Sequence, residues 1–218
     1  MVHDLSMNSY NGTINGSPAW VSGPTIPTSS VPVHEATNYN TGSNVTSLSV
    51  TFSTNGKNRL IIVTAINTNA SVSISDAAGL AWLQRAQIVN GGSYLVEWVA
   101  EALEEITNDV VMIAASSGIY ELVVNTFYKI NGAPPSLPQE PGTSETGTAH
   151  ITTTQTLGLN LANVATANIS PTSGAGWSQY YGNDYCLIEG QPFSAPGTFE
   201  PTVGVGSRAI EGITEIII

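Results

Sequence analysis

Short aliphatic or alternating runs recur along this chain, each closed by Asn, Gly, Asp or Ser, and that rhythm leaves room for little except β structure. Leu48, Val50 and Phe52 alternate with Ser47, Ser49 and Thr51 between Val45 and Phe52, the period of two of a half-buried strand. Asn55-Gly56 follows as a turn signal. Arg59 to Ile66 is a nearly continuous aliphatic run, which suits a strand covered on both faces. Val72 to Ser75 alternates again, and Asp76 to Gly79 turns the chain. Trp82 to Val89 and Ser93 to Ala100 flank Asn90-Gly91-Gly92. The pair reads as a hairpin, because Asn-Gly supplies the positive φ angles of a tight turn.

The same reading continues beyond residue 100. Ala100 to Ile106 carries Glu101, Glu104 and Glu105 and is the one segment with helical character, a turn or two at most. Asp109 to Ala115 and Tyr120 to Ile130 read as two further strands, with Leu122 and Val124 on one face and Val123 and Phe127 less cleanly placed. Strands are expected again at His150 to Thr154, Leu157 to Ala167, Trp177 to Tyr181, Tyr185 to Glu189, Phe199 to Val205 and Arg208 to Ile218. Strands spaced this way indicate a sandwich or barrel.

Two breaks interrupt the pattern. Residues 1–30 are rich in Asn, Ser, Gly and Pro and read either as a disordered tail or as an arm clasping a neighbouring subunit, anchored by Trp20 and Val21. Residues 133–148 hold Pro134, Pro135, Pro138 and Pro141 and read as a long surface loop in preference to an interdomain linker. Residues 31–218 would then be a single β-sandwich. A faint echo links its halves. Leu60 to Val63, Gly79 to Trp82 and Tyr94 to Glu97 are matched by Leu157 to Asn160, Gly174 to Trp177 and Tyr185 to Glu189. Duplication and coincidence both remain open.

Composition narrows the function. The chain of 218 residues carries 16 acidic and 5 basic side chains, a net charge of -11, and only 10% charged residues against 41% hydrophobic ones. Five scattered cations cannot neutralise a run of phosphates, so nucleic acid and anionic membrane surfaces are poor partners. No apolar run approaches a membrane span. Met1-Val2-His3-Asp4-Leu5-Ser6 lacks the basic and apolar regions of a signal peptide, so synthesis in the cytoplasm is expected.

Chemistry is hard to find. His3, His34 and His150 have no nucleophile in a recognisable arrangement. The lone Cys186 sits in a strand pattern, where it reads as a small buried hydrophobe. Glu97 and Glu189 could pair for glycoside hydrolysis, but outward-facing strand carboxylates fit better. No zinc or calcium spacing stands out; Asn183-Asp184 reads as a plain turn. No enzyme, metal or cofactor is expected. The apolar terminus Ile216-Ile217-Ile218 would be an aggregating edge unless paired in the sheet or given to a neighbour, and pairing is expected. Trp177, Tyr180 and Tyr181, next to a Gly-rich turn, could form a platform for stacking a sugar.

One resemblance goes further. Leu60 to Val63, Ser75 to Trp82, Gln84-Arg85-Ala86, Val96 to Ala100, and Leu122 to Phe127 closing on Asn131-Gly132-Ala133 form a series that resembles the jelly-roll structural proteins of double-stranded DNA viruses of bacteria or archaea. It covers residues 45–135 well and 150–218 loosely, and its residues are packing and turn residues. It implies an antiparallel jelly-roll-like sandwich with an extended N-terminal arm. It also implies residence in the virion as a decoration, turret or minor capsid subunit. Partners would be further copies, as a trimer or pentamer, and other capsid or tail proteins, with Trp20, Val21, Ile216, Ile217 and Ile218 as assembly residues. The alternative is a carbohydrate- or receptor-binding sandwich facing a host-surface glycan.

Overall fold

The computed structural model describes residues 2–3, 11–12, 31–67, 72–90, 93–128, 137, 140–144, 149–166, 171–184, 186–201 and 209–217. Among them there is no helix, so none is long and apolar enough to cross a membrane. The strands are β1 (Val2–His3), β2 (Asn11–Gly12), β3 (Val33–Phe52), β4 (Arg59–Asn67), β5 (Val72–Ser75), β6 (Leu83–Asn90), β7 (Ser93–Ala102) and β8 (Asp109–Tyr128). After these come β9 (Gly142–Ser144), β10 (Ile151–Thr153), β11 (Gly158–Thr166), β12 (Ser178–Gly182), β13 (Cys186–Phe193), β14 (Gly197–Phe199) and β15 (Ala209–Ile217). The chain is all-β and antiparallel throughout. Of residues 1–30 only the short β1–β2 pairing is described, so the arm, with Trp20 and Val21, lies outside the described residues. So does most of 133–148, although β9 falls within that stretch.

Two sheets carry the body. The first runs β3-β8-β4-β7-β6, with β5 also on β8; the second, read in the matching direction, runs β9-β15-β11-β13-β12. The two orders are the same: a central strand, a hairpin folding its second strand onto that centre, and a closing strand on the other side. The echo in the sequence is therefore an echo of connectivity. The sheets face each other in opposite directions. On one side His34 of β3 stacks on Tyr180 of β12 at 3.8 Å. On the other, Gly212 of β15 approaches Ile88 of β6 closely enough that a Cβ there would lie 3.3 Å from its Cδ1.

The first sheet does not lie flat. β3 and β8 each span 20 residues, and both bend near their middles. The register slips between Thr41 and Ser47, Asn44 has φ 56°, and Gly118 has φ 76°, a value glycine takes without a steric penalty. The first arm of β8 and the second arm of β3 consequently curl over the sheet into a half-barrel. Inside the curl, Leu48, Val50, Phe52, Val111 and Ile113 meet Ile61, Val63, Val96 and Trp98. The sandwich-like core lies on the opposite face, where Leu60, Ile62, Leu95, Val99 and Phe127 meet Leu159, Leu161, Ile188 and Ile216. A third cluster, Ile151, Ala162, Trp177 and Ile213 with Phe199 against it, sits beneath the β10–β14 pair. Both faces of β4 are buried, as its aliphatic run predicts.

Three expectations are corrected. Connectivity is the first: a jelly roll sends successive strands to alternate sheets through its two Greek keys, whereas here the strands from β3 to β8 build one sheet and those from β11 to β15 belong to the second sheet and its cover. The second is Ala100 to Ile106, which is not helical. β7 runs on to Ala102 because Ala100 and Ala102 pair with Ile61 and Arg59, and Ile106 is held by reciprocal bonds with Thr54 (Thr54 N to Ile106 O, 2.9 Å; Ile106 N to Thr54 Oγ1, 2.9 Å). Tertiary pairing outweighs the helical propensity of the glutamates. The third is the division of Asp109 to Ile130 into two strands, since Gly118 bends one continuous strand and Ile119 still pairs with Val45.

Turn chemistry anchors the curl. Asp109 Oδ1 accepts from the amides of Ala77 and Ala78 at 3.0 Å each. Asp76 accepts from Leu80 N at 3.0 Å and from Trp82 Nε1 at 2.7 Å. The Asp76 to Trp82 stretch is therefore a turn whose two ends share one carboxylate.

Candidate functional site

Of the aromatic residues expected to form a sugar platform, Trp177 and Tyr181 are both buried. They belong to different clusters, Trp177 under the β10–β14 pair and Tyr181 in the core between the sheets. Tyr180 is half-buried, sandwiched between the His34 ring and Gly190, where an added Cβ would lie 2.3 Å from its hydroxyl. Burial pushes the Tyr180 hydroxyl up to about 12. The three rings thus pack inward and share no open surface. A register shift between Gln179 and Tyr181 is what lets two consecutive tyrosines pack near one core.

The terminal strand is paired inside the sheet, as expected. β15 lies between β11 and β9, pairing with β11 from Ala209 to Ile217. Ile216 is buried within this chain and Ile217 is half-buried, while β9 pairs only with Glu211 to Ile213 on the other side of the strand. Ile218 lies outside the described residues. Cys186 is buried at the sheet interface, and burial raises its thiol well above the usual range, in keeping with a packing role.

The largest departure from the sequence reading is the placement of the acids. Glu97, Asp109, Glu121, Glu189, Glu211 and Glu215 are all buried; neither Glu97 nor Glu189 faces outward. They also lie on different faces. Glu97 sits between the sheets, where Oε2 accepts from Asn163 Nδ2 at 2.6 Å and Oε1 from Thr214 Oγ1 at 2.6 Å, while Thr64 Oγ1 donates to Asn163 Oδ1 at 3.0 Å. Burial pushes the Glu97 carboxyl up to about 7, opposed by those two bonds and by the distant Arg85. Glu121, at the rim of the same interface, accepts from the Tyr181 hydroxyl and from Asn183 Nδ2 (2.7 Å) and is likewise pushed to about 7 by burial. Glu211, bonded by Ala149 N at 2.8 Å, is raised to about 7 by burial and by nearby Glu189. Glu189 is raised by burial too. Among the described residues no group of three or more His, Cys, Asp or Glu could hold a metal ion.

The outer side of the curl is the opposite case. Ser47, Ser49 and Thr51 on β3, Val110, Met112 and Ala114 on β8, and Ser73 and Ser75 on β5 lie directly across from one another. Cross-strand partners share a face. Val110 and Met112 are 40% and 43% exposed, and the hydroxyl residues beside them are exposed. This three-stranded face bears hydroxyls and apolar groups and no ionisable side chain. No protein-family model, curated protein or solved structure matches the chain.

Alternation in Val45 to Phe52 already separates Ser49 and Thr51 from the core, and the face was legible to that extent. Its partner stripe was not: in Val110-Val111-Met112-Ile113 every residue is apolar, and only pairing shows which half faces water.

Proposed function

We propose that this protein is a structural subunit that works as a homo-oligomer on a particle surface, and in the finer reading a decoration, turret or minor capsid protein of a virion. The observation that supports it is the uncharged outer face of the curl. A chain of net charge -11 repels its own copies, so contact between copies is cheapest where no charge must be desolvated. The face offers that: two exposed apolar side chains framed by five hydroxyls, on a sheet stiffened from beneath by its own core. An exposed apolar patch with a polar frame is the usual mark of an interaction surface. Burial of six carboxylates adds to the reading, because it withdraws negative charge from the exterior.

The experiment is co-sedimentation. If the virion reading holds, the chain is recovered at a fixed stoichiometric ratio to the major shell protein in purified particles, and it stays with them through gradient banding. Its absence from banded particles would contradict the virion reading and leave only the self-association argument standing.

A further inference from the structure

The polar groups buried between the sheets include one arrangement that packing alone does not call for. Thr64 of β4 and Glu97 of β7 lie directly across from each other in the first sheet, and Asn163 of β11 meets them from the second. Thr64 Oγ1 donates to Asn163 Oδ1 at 3.0 Å, and Asn163 Nδ2 donates to Glu97 Oε2 at 2.6 Å. A hydroxyl therefore stands on the carbonyl side of a primary amide and a carboxyl on its nitrogen side. We propose that Thr64 and Asn163 join in an intramolecular ester that bolts the two sheets together, with Glu97 as the proton carrier.

The step balances without a further reactant. Thr64 Oγ1 attacks Asn163 Cγ, a C–O bond forms, and the Cγ–Nδ2 bond breaks. Glu97 takes the hydroxyl proton and delivers it to Nδ2, which leaves as ammonia, and the carboxyl ends as it began. Nothing is oxidised or reduced. A hydroxyl nucleophile with a neighbouring base is the pairing that covalent acyl transfer requires.

The atoms are close enough for this. The carbonyl carbon lies about 1.2 Å from Oδ1, and Oγ1, already bonded to that oxygen, meets it by a turn about the soft terminal torsion of the asparagine. Thr64 is β-branched and stiff at χ1. Cross-strand neighbours have Cβ atoms about 4.5–5.5 Å apart, so the Glu97 carboxyl serves the Thr64 hydroxyl as well as Nδ2. The Thr214 hydroxyl fixes its other oxygen at 2.6 Å.

The surroundings suit the chemistry as well. Thr64, Glu97, Asn163 and Thr214 are each at most 2% exposed. The three reacting residues are flanked along their strands by Ile62, Ile66, Leu95, Val99, Leu161 and Ala165 of the core. Water, the competing nucleophile, is kept out. Burial raises Glu97 to about 7, so it gives and takes a proton near neutral pH. Four different strands supply the four groups, which confines the reaction to folded chain. An amide is a poor acyl donor, and the step is slow beside folding. Newly folded chain holds the groups as bonded above, and the stability effects of Glu97 belong to that unreacted form.

The test follows the intact mass of the full chain from purification through days at neutral pH. The folded wild type should lose the mass of one ammonia, and a digest should yield one peptide joining the Thr64 and Asn163 segments. Mild base should reopen the bond and leave an acid where the amide of Asn163 stood. Thr64→Ser should still react, Thr64→Val should keep its full mass, and Glu97→Gln should slow the loss about a hundredfold. Each variant is read only with a cooperative melt, and if Thr64→Val lacks one, Glu97→Gln decides. A wild type that keeps its full mass overturns the proposal. So does an ammonia loss that persists in Thr64→Val. A loss mapped to a succinimide at Asn55-Gly56 or Asn90-Gly91, with no joined peptide, overturns it too.

Discussion

Replacing Glu97 by Gln is expected to raise the melting temperature at pH 8 and to leave it nearly unchanged at pH 4.5. In the unfolded chain this carboxyl titrates at 4.5, and in the fold at about 7. Below 4.5 both states hold the proton and nothing is lost. Between those values the folded state keeps a proton that the unfolded state releases, so stability falls as the pH rises, by 1.36 kcal/mol per unit. The full loss is on the order of 3 kcal/mol and is complete above pH 7. A glutamine avoids it. Its carbonyl accepts one of the two bonds from Asn163 and Thr214, and its amide can donate to the Thr214 hydroxyl. For a chain of this size the gain at pH 8 corresponds to a rise of roughly 5–10 °C. The wild type should itself melt higher at pH 5 than at pH 8, because Glu121, Glu211 and Glu189 are shifted in the same direction. His34 opposes them: burial lowers its pKa, so its contribution is lost as the pH falls through 6.5 and below. Calorimetry from pH 4.5 to 8.5 decides this, and a wild type more stable at pH 8 than at pH 5 would refute the buried-acid account.

The second large effect concerns β15. Deleting residues 209–218 should abolish folding outright, giving insoluble or protease-labile chain. The strand has partners on both sides, β11 and β9, and supplies buried Ile210, Ile213 and Ile216 to two of the three cores. Three fully buried isoleucines stabilise by about 1.5–3 kcal/mol each. The deletion would also unpair the central strand β11 on one side, leaving only its ladder with β13, and remove Thr214 from Glu97. That exceeds much of the 5–15 kcal/mol of net stability typical of a folded chain. Ile216→Ala isolates one part of the loss and should cost about 2–5 kcal/mol, measured by denaturant unfolding. A truncated chain that keeps a cooperative transition would show that the second sheet closes without its central neighbour.

What the sequence made legible follows from local physics. The Asn90-Gly91-Gly92 hairpin is there, with Asn90 opposite Ser93, because a tight turn depends on residues adjacent in the chain. The continuous aliphatic run of β4 and the alternation of Val45 to Phe52 followed from burial on two faces or one. The buried acids were harder, though Glu97 did carry a signal. It stands in phase with Leu95 and Val99 inside a strand apolar on both faces, so no outward side was left for it. Glu211 and Glu215 gave no such warning, since nothing local announces that β10 and β14 cover that side. The first arm of β3 was obscured by its own polarity: Asn38, Tyr39 and Asn40 line an open cleft, and a strand without a buried stripe has no apolar alternation to read. The curl depended on Gly118 and Asn44 bending two strands together, a coupling between residues far apart in sequence.

The claim that this is a self-associating subunit rests on one face, and sedimentation velocity tests it directly. The wild-type chain should sediment as an oligomer at micromolar concentration. Met112→Arg places a cation in the middle of the uncharged face, on a side chain already 43% exposed, and should give a monomer with an unchanged melting temperature. A wild type that is monomeric at every concentration, or a Met112→Arg variant that sediments as the wild type does, would contradict the account.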